Sequence, residues 1–231
     1  MEQLSPQLMN RLVFAVIMHG LNEAQSAMAL NVLTDALRHP NTQIRELAIV
    51  ALADLPVHVS KRVPPLAFAM RDESSKVRRR AARALGDQAV AALPALPQLI
   101  IGLKDTDASV RRDCAGAVGR IGPAGHPATH SLVPLLTEPE YRTRAIAAVA
   151  IKRFGRAAIP GLLDGVCSPD PERRGKCAML LAKIAPDDEA VAEILGEVLT
   201  DEVAEIQAKA DRALQMIRTP PPVDMSELKR F

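Results

Sequence analysis

Aromatic residues are scarce in this 231-residue chain, which contains no Trp, one Tyr and four Phe. Proteins that hold single-stranded nucleic acid or an extruded base stack the bases on aromatic rings beside basic residues. The composition therefore weighs against that kind of nucleic-acid binding. The formal net charge of +2 is too small to indicate nucleic acid or an anionic membrane by itself.

Long apolar segments are missing as well. The apolar run Leu12–Met18 has seven residues, whereas a membrane-spanning helix needs about 20. The run is also short for the core of a signal peptide, and only one basic residue, Arg11, precedes it. We therefore expect a cytoplasmic protein that does not bind a membrane.

Cysteine is too sparse for a disulfide framework. The chain has three cysteines, Cys114, Cys167 and Cys177, and no two of them form a Cys-x-x-Cys pair. We expect reduced, free thiols. Cys114 and Cys177 fall in a helix column that is otherwise alanine, so they are predicted to be small buried hydrophobic residues.

The sequence patterns of common catalytic sites are missing too. The five histidines lack the adjacent carboxylates of metal-binding helices, and Pro127 separates His126 from His130. The chain has no glycine-rich phosphate loop and no Gly-x-Ser-x-Gly turn. We expect no catalytic residue, no bound metal and no cofactor.

A ten-residue segment, Val77–Gly86, recurs in related form along the chain at intervals of 31 to 33 residues. Each copy has a reference residue, a small residue four positions later and an aliphatic residue eight positions later. Residues at this spacing share one face of a helix, so the pattern predicts six equivalent helices, each with one face that packs against its neighbours. The reference residues are Ile44, Val77, Val110, Tyr141, Arg173 and Ile206; the small residues are Ala48, Ala81, Cys114, Ala145, Cys177 and Ala210; the aliphatic residues are Leu52, Leu85, Val118, Val149, Leu181 and Leu214.

A second helical segment precedes each copy, and the pattern of alternating strands is missing. Prolines such as Pro64 and Pro65 predict that several of these preceding helices are short or bent. The chain is therefore predicted to be all-α, a right-handed α-α superhelix of about six helix pairs. Residues 1–21 are assigned to an N-terminal capping helix, 22–218 to the repeat array and 219–231 to a proline-rich break and C-terminal tail.

Two copies carry a family resemblance. Asp105–Gly122, read as Asp-Thr-Asp-Ala-Ser-Val-Arg-Arg-Asp-Cys-Ala-Gly-Ala-Val-Gly-Arg-Ile-Gly, and Asp72–Gly86 resemble HEAT repeats of the short bacterial phycobilisome-lyase type. The resemblance implies an α-solenoid and leaves the function open, because such repeats serve several functions. A non-catalytic protein-binding scaffold is our leading interpretation. The alternatives are a phycobilin lyase subunit or chaperone-like factor, and a nucleic-acid-binding protein.

The arginine that follows the reference residue forms a column, which we call the arginine ladder. The resemblance implies that each arginine bridges to an aspartate of the adjacent repeat, a task that suits the planar guanidinium fork. We therefore predict a structural role for Arg45, Arg78, Arg111, Arg142 and Arg174, with Asp72 and Asp105 among their partners.

A second set of basic residues lies at positions that the apolar stripe leaves free. The inner helices of such a superhelix line its concave surface, where stacked basic side chains would attract an acidic protein or peptide segment. A solvated face whose charges are balanced by nearby acids is an equally open interpretation. The predicted partner-binding residues are Arg80, Arg83, Arg112, Arg120, Arg144 and Lys176.

Overall fold

The structure is a computed structural model that describes residues 5, 7, 9, 10, 13, 21–198, 200 and 202–218. Most of the predicted capping helix and the entire predicted tail lie outside the described residues. Within the described part of the chain all regular structure is helical, as predicted, and no helix there is long and apolar enough to cross a membrane.

The helices alternate between two layers. The outer layer contains α1 (Glu23–Ala36), α3 (Val59–Ala69), α5 (Leu96–Gly102), α7 (Thr129–Leu132), α9 (Ile159–Val166) and α11 (Glu189–Val198). The inner layer contains α2 (Thr42–Asp54), α4 (Ser75–Asp87), α6 (Ala108–Ile121), α8 (Tyr141–Phe154), α10 (Pro171–Ile184) and α12 (Ala204–Arg218). Each inner helix packs on its outer partner and on neighbouring inner helices, which is the architecture of an α-solenoid.

Proline shortens the middle of the outer layer. Short 3-10 segments replace part of the expected α-helix there, and three of the four contain proline, which cannot donate a hydrogen bond and fixes φ. These segments are Ala89–Ala95, Pro123–Ala128, Val133–Thr137 and Gly155–Ala158. Gly122 and Gly155, with φ of 81° and 58°, end α6 and α8 in the left-handed region that glycine enters without strain.

Side-chain caps fix where many of the helices begin. The carboxylate of Asp107 accepts hydrogen bonds from the backbone N–H groups of Ser109 and Val110 at the start of α6. Asn41 and Asp170 cap α2 and α10 in the same way. The turns before the inner helices are therefore set by local sequence, which places the first-turn arginines of successive repeats in register.

The core lies between the two layers and is filled mainly by alanine and leucine. Small residues let the inner helices approach closely; a Cβ added to Gly119 of α6 would lie 3.0 Å from the Cβ of Ala150 in α8. The predicted small and aliphatic columns are buried in most repeats, as at Ala81, Leu85 and Cys114.

The fourth repeat has a different register from the predicted one. Thr143, not Tyr141, takes the buried reference position, and Tyr141 is 72% exposed. The small and aliphatic positions accordingly belong to Ala147 and Ile151, both fully buried, and not to Ala145 and Val149. A shift of two residues turns a helix by about 200°, so the prediction had placed the wrong face against the core.

Candidate functional site

The arginine ladder joins consecutive repeats through bidentate ion pairs. Arg45 donates from Nε and Nη2 to Asp72 at 2.7 and 3.0 Å, and Arg78 donates in the same way to Asp105 at 2.7 and 2.8 Å. Arg111 binds Glu138 at 2.8 and 2.9 Å. Each acid follows its arginine by 27 residues. These two-point contacts fix the angle between neighbouring repeats.

The remaining arginine nitrogen closes the turn of its own repeat. Nη1 of Arg78 donates to the carbonyl oxygens of Asp72 and Glu73, six and five residues earlier. Burial alone would lower the pKa of Arg78, but the hydrogen bond to Asp105, the largest effect, raises it. Arg78 therefore stays charged while its guanidinium group binds residues of two repeats.

The fourth ladder position belongs to Arg144 and not to Arg142, as the register shift requires. Nη1 of Arg144 donates to the carbonyl oxygens of Glu138 and Pro139 at 2.8 and 2.7 Å, again six and five residues earlier. The exposed side chain of Arg142 makes no such contact. In the fifth repeat Arg174 makes the equivalent bonds to the carbonyls of Ser168 and Pro169.

A groove crosses the inner layer from α2 to α8. Its first part has a volume of about 570 Å³ and lies between α2 and α4; its second part, about 290 Å³, lies between α4, α6 and α8, and both are lined by Arg83 and Asp87. We call the two parts together the inner groove. Its charged lining consists of six basic side chains, Lys76, Arg79, Arg80, Arg83, Arg112 and Arg120, and four acidic ones, Glu46, Asp54, Asp87 and Asp113.

Basic charge is concentrated around one carboxylate of the inner groove. Asp113 of α6 accepts hydrogen bonds from Nε of Arg79 at 3.2 Å and from Nε of Arg83 at 3.0 Å, and Nε of Arg112 lies 3.8 Å away. Arg112 also binds Glu140 at 2.7 Å. Three guanidinium groups thus surround Asp113, and we call these four residues the Asp113 cluster.

The structure brings together four of the six predicted partner-binding residues. Arg80, Arg83, Arg112 and Arg120 line the inner groove. Each is already paired with an acid of the chain, for example Arg80 with Glu46. The sequence analysis left open a face balanced by nearby acids but did not predict which acid pairs with which arginine; the spacing of roughly one repeat between the partners was the available signal.

The other two predicted residues lie outside the inner groove. Arg144 belongs to the ladder. Lys176 reaches back from α10 to the carbonyl oxygen of Leu136 at 2.6 Å and to Glu172 at 2.6 Å. The prediction that Arg144 and Lys176 line the same surface as Arg80 is therefore corrected. Arg144 lies elsewhere because the register of the fourth repeat differs from the predicted one.

Metal-binding side chains do not cluster in the described ranges, where no group of three His, Cys, Asp or Glu residues could hold an ion. His130 pairs with Asp164 at 3.0 Å across two outer helices. Cys114 and Cys177 are buried and Cys167 is exposed. Desolvation raises the pKa of Cys177 to about 12 and that of Cys114 further, so neither thiol is ionised near neutral pH.

Two segments of the chain, residues 63–152 and 129–215, match the family model described as HEAT repeats. The chain belongs to the HEAT-repeat family. Solenoids of this family are scaffolds typical of protein binding and generally non-catalytic. The family match does not distinguish the phycobilisome-lyase type, which stays a prediction for this HEAT-repeat protein.

Solved structures show the same fold at low sequence identity. An engineered protein from the Northeast Structural Genomics Consortium is 24% identical, with a TM-score of 0.55 over 82% of this chain and 96% of that one. Importin beta is 16% identical, with a TM-score of 0.65 over 92% of this chain and 33% of importin beta. The search of curated proteins finds no match.

Proposed function

We propose that this HEAT-repeat protein is a non-catalytic scaffold that holds an acidic segment of a partner protein in the inner groove. The Asp113 cluster is the observation that carries the proposal, because three guanidinium groups there are balanced by two internal carboxylates, Asp113 and, through Arg112, Glu140. Each guanidinium has five N–H donors, so the three arginines keep donors that the two carboxylates do not fill. A partner's Asp or Glu side chain can enter without displacing Asp113.

The charge balance of the inner groove favours an acidic partner. Six basic side chains face four acidic ones along its length. The side chains of Arg83 and Arg120 are 55% and 43% exposed, so they can reach a ligand. The acids limit how much negative charge the groove attracts, which favours a short acidic peptide segment over the extended charge of a nucleic-acid backbone.

The ladder supports this function by holding the groove in shape. The bidentate pairs of Arg45, Arg78 and Arg111 fix the first four repeats relative to one another. These arginines lie in the first turns of α2, α4 and α6. A surface that is already ordered loses less conformational entropy on binding than one that must be ordered by its partner. The inner groove is therefore a preorganised surface.

The test uses a fluorescein-labelled octaglutamate peptide and fluorescence anisotropy at physiological ionic strength. The groove variant combines Arg83→Glu with Arg120→Glu. We expect it to bind the peptide at least about tenfold more weakly than wild type, a loss of about 1.4 kcal/mol. The matched control combines Lys61→Glu with Arg71→Glu, which makes the same change of net charge at exposed residues of the outer layer.

The control should change affinity less than twofold. Equal weakening in the groove variant and the control would mean that the peptide responds only to net charge, and would contradict the proposal. Labelled oligothymidine bound more tightly than the peptide would favour the nucleic-acid alternative instead. Far-UV circular dichroism of both variants establishes that a loss of affinity is not a loss of fold.

A further inference from the structure

The arginine ladder is interrupted between the fourth and fifth repeats. Arg45, Arg78 and Arg111 each use Nε and Nη2 to hold a carboxylate of the next repeat. Arg144 has the same two backbone anchors, at Glu138 and Pro139. Within the described part of the chain, no carboxylate lies within salt-bridge distance of its Nε or Nη2.

The missing carboxylate has an identifiable position. Asp72 and Asp105 stand six residues before the ladder arginine of their own repeat, and each accepts a hydrogen bond from the backbone N–H two residues later, at 2.8 and 2.9 Å. Ser168 stands six residues before Arg174 and accepts the equivalent bond from Asp170 at 3.2 Å. Ser168 therefore accepts the same backbone hydrogen bond as the ladder acids, but it has no negative charge to pair with Arg144.

The repeat spacing changes at the same place. Successive ladder arginines are 33 residues apart up to Arg144, whereas Arg174 follows after 30. α8 and α10 meet over far fewer residues than the other neighbouring inner helices, and α10 packs instead against the 3-10 segment Val133–Thr137. The inner helices on the two sides of this junction are thus in less contact with each other than those at the other junctions.

A second cation lies beside Ser168. Arg173 occupies the reference column, which holds buried Val77 and Val110 in other repeats. Its Nη1 donates to Oγ of Ser168 at 3.4 Å and its Nη2 lies 3.5 Å from the carboxylate of Asp170, whereas its buried Nε has no hydrogen-bond partner. A buried donor without a partner costs free energy, so a ligand that satisfied it would be favoured.

We propose that this junction, formed by Arg144, Ser168 and Arg173, is a binding site for one external carboxylate: an Asp or Glu side chain of a partner protein takes the place of the missing ladder acid. The carboxylate would accept hydrogen bonds from Nε and Nη2 of Arg144, as Asp105 does from Arg78. The exposed ring of Tyr141, 5.7 Å from Cζ of Arg144, supports the guanidinium plane. The site is separate from the inner groove and does not rest on its function.

The first test follows the side-chain Nε–Hε signal of Arg144 by NMR. The probe is the peptide acetyl-Gly-Asp-Gly-amide, and the same peptide with Asn in place of Asp is its control. Loss of the signal in Arg144→Lys assigns it. We expect a saturable shift with the Asp peptide and none with the Asn peptide. Shifts that are equal for the two peptides, or a saturable response of equal strength to inorganic phosphate, would overturn the proposal.

The second test introduces a carboxylate of the chain itself at position 168. Ser168→Asp supplies the missing carboxylate, so it should abolish the response to the Asp peptide and raise the Tm about 2–4 °C above that of the neutral isostere Ser168→Asn. Ser168→Ala leaves the site open and should keep the response. A Tm for Ser168→Asp no higher than that of Ser168→Asn, or an undiminished peptide response, would show that Arg144 does not face this position.

The inner-groove variant provides the independent control. Arg83→Glu with Arg120→Glu should leave the Arg144 signal and its response to the Asp peptide unchanged. Loss of octaglutamate binding with an intact Arg144 response would support two separate sites. Loss of the Arg144 response in the groove variant would contradict their separation.

Discussion

Removing one ladder arginine should cost much of the protein's stability. Arg78→Ala deletes two hydrogen bonds to Asp105 and two to backbone carbonyls. It leaves Asp105, whose side chain is only 11% exposed, without its counter-charge. Breaking a fully buried ion pair costs 3–5 kcal/mol, and this pair is partly exposed, so we expect a loss of about 3 kcal/mol in the free energy of unfolding.

A double-mutant cycle isolates the pair. Asp105→Asn keeps an acceptor for the backbone N–H of Asp107 and removes the charge. Urea denaturation followed by circular dichroism should give a coupling energy of about 2 kcal/mol between Arg78→Ala and Asp105→Asn. Lys61→Ala, at an exposed position of α3, should change stability by less than about 0.5 kcal/mol. Additive effects of the two ladder substitutions would refute the reasoning.

The Arg78–Asp105 pair should also make the stability of the fold depend on pH in the acid range. Burial alone would raise the pKa of Asp105, but hydrogen bonds from Arg78 and from the Asp107 N–H, with the charge of Arg78, hold it below its ordinary value of 3.8. A lowered native pKa stabilises the fold above the unfolded pKa, and this contribution is lost as the pH falls through the native one. The Tm difference between wild type and Arg78→Ala should therefore narrow from pH 7 to pH 3. A constant difference would contradict the assignment.

Two further predictions test the core. Ala147→Leu should overpack the interface of α8 and destabilise the fold by about 1–3 kcal/mol. Ala145→Leu should change stability by less than about 0.5 kcal/mol. If thermal melts showed Ala145→Leu to be the more destabilising variant, Ala145 would face the core, as predicted from the sequence. In the native protein a thiol reagent should modify Cys167 rapidly, whereas Cys114 and Cys177 should react only in denaturant; fast labelling of all three would show that the core is open.

The helix pairs could be read from the sequence because their signals are local. Caps such as Asn41 and Asp107, breakers such as Gly122 and the small and aliphatic columns all act within one repeat. The register of the fourth repeat could not be read as easily, because Arg142 and Arg144 both follow a candidate reference residue. The even spacing of 33 residues from Arg111 to Arg144 was the signal that resolves it.

The chemistry of the inner groove depends on how repeats stack, which local patterns do not report. Asp113 meets Arg79 and Arg83, 34 and 30 residues earlier, only because α4 and α6 pack side by side. The gap at Ser168 is visible only once the hydrogen bonds of Arg174 align its turn with those of Asp72 and Asp105. A column of charged residues in a repeat sequence therefore shows which surface is charged, but it does not show which side chains pair across that surface.

Hydrogen–deuterium exchange with and without the octaglutamate peptide tests the central claim most directly. If the Asp113 cluster holds an acidic segment, the peptide should slow exchange in α4 and α6, which carry the cluster, and leave the outer helices α3 and α5 unchanged. Protection confined to the outer layer, or no protection at peptide concentrations that saturate the anisotropy signal, would contradict the proposed scaffold surface.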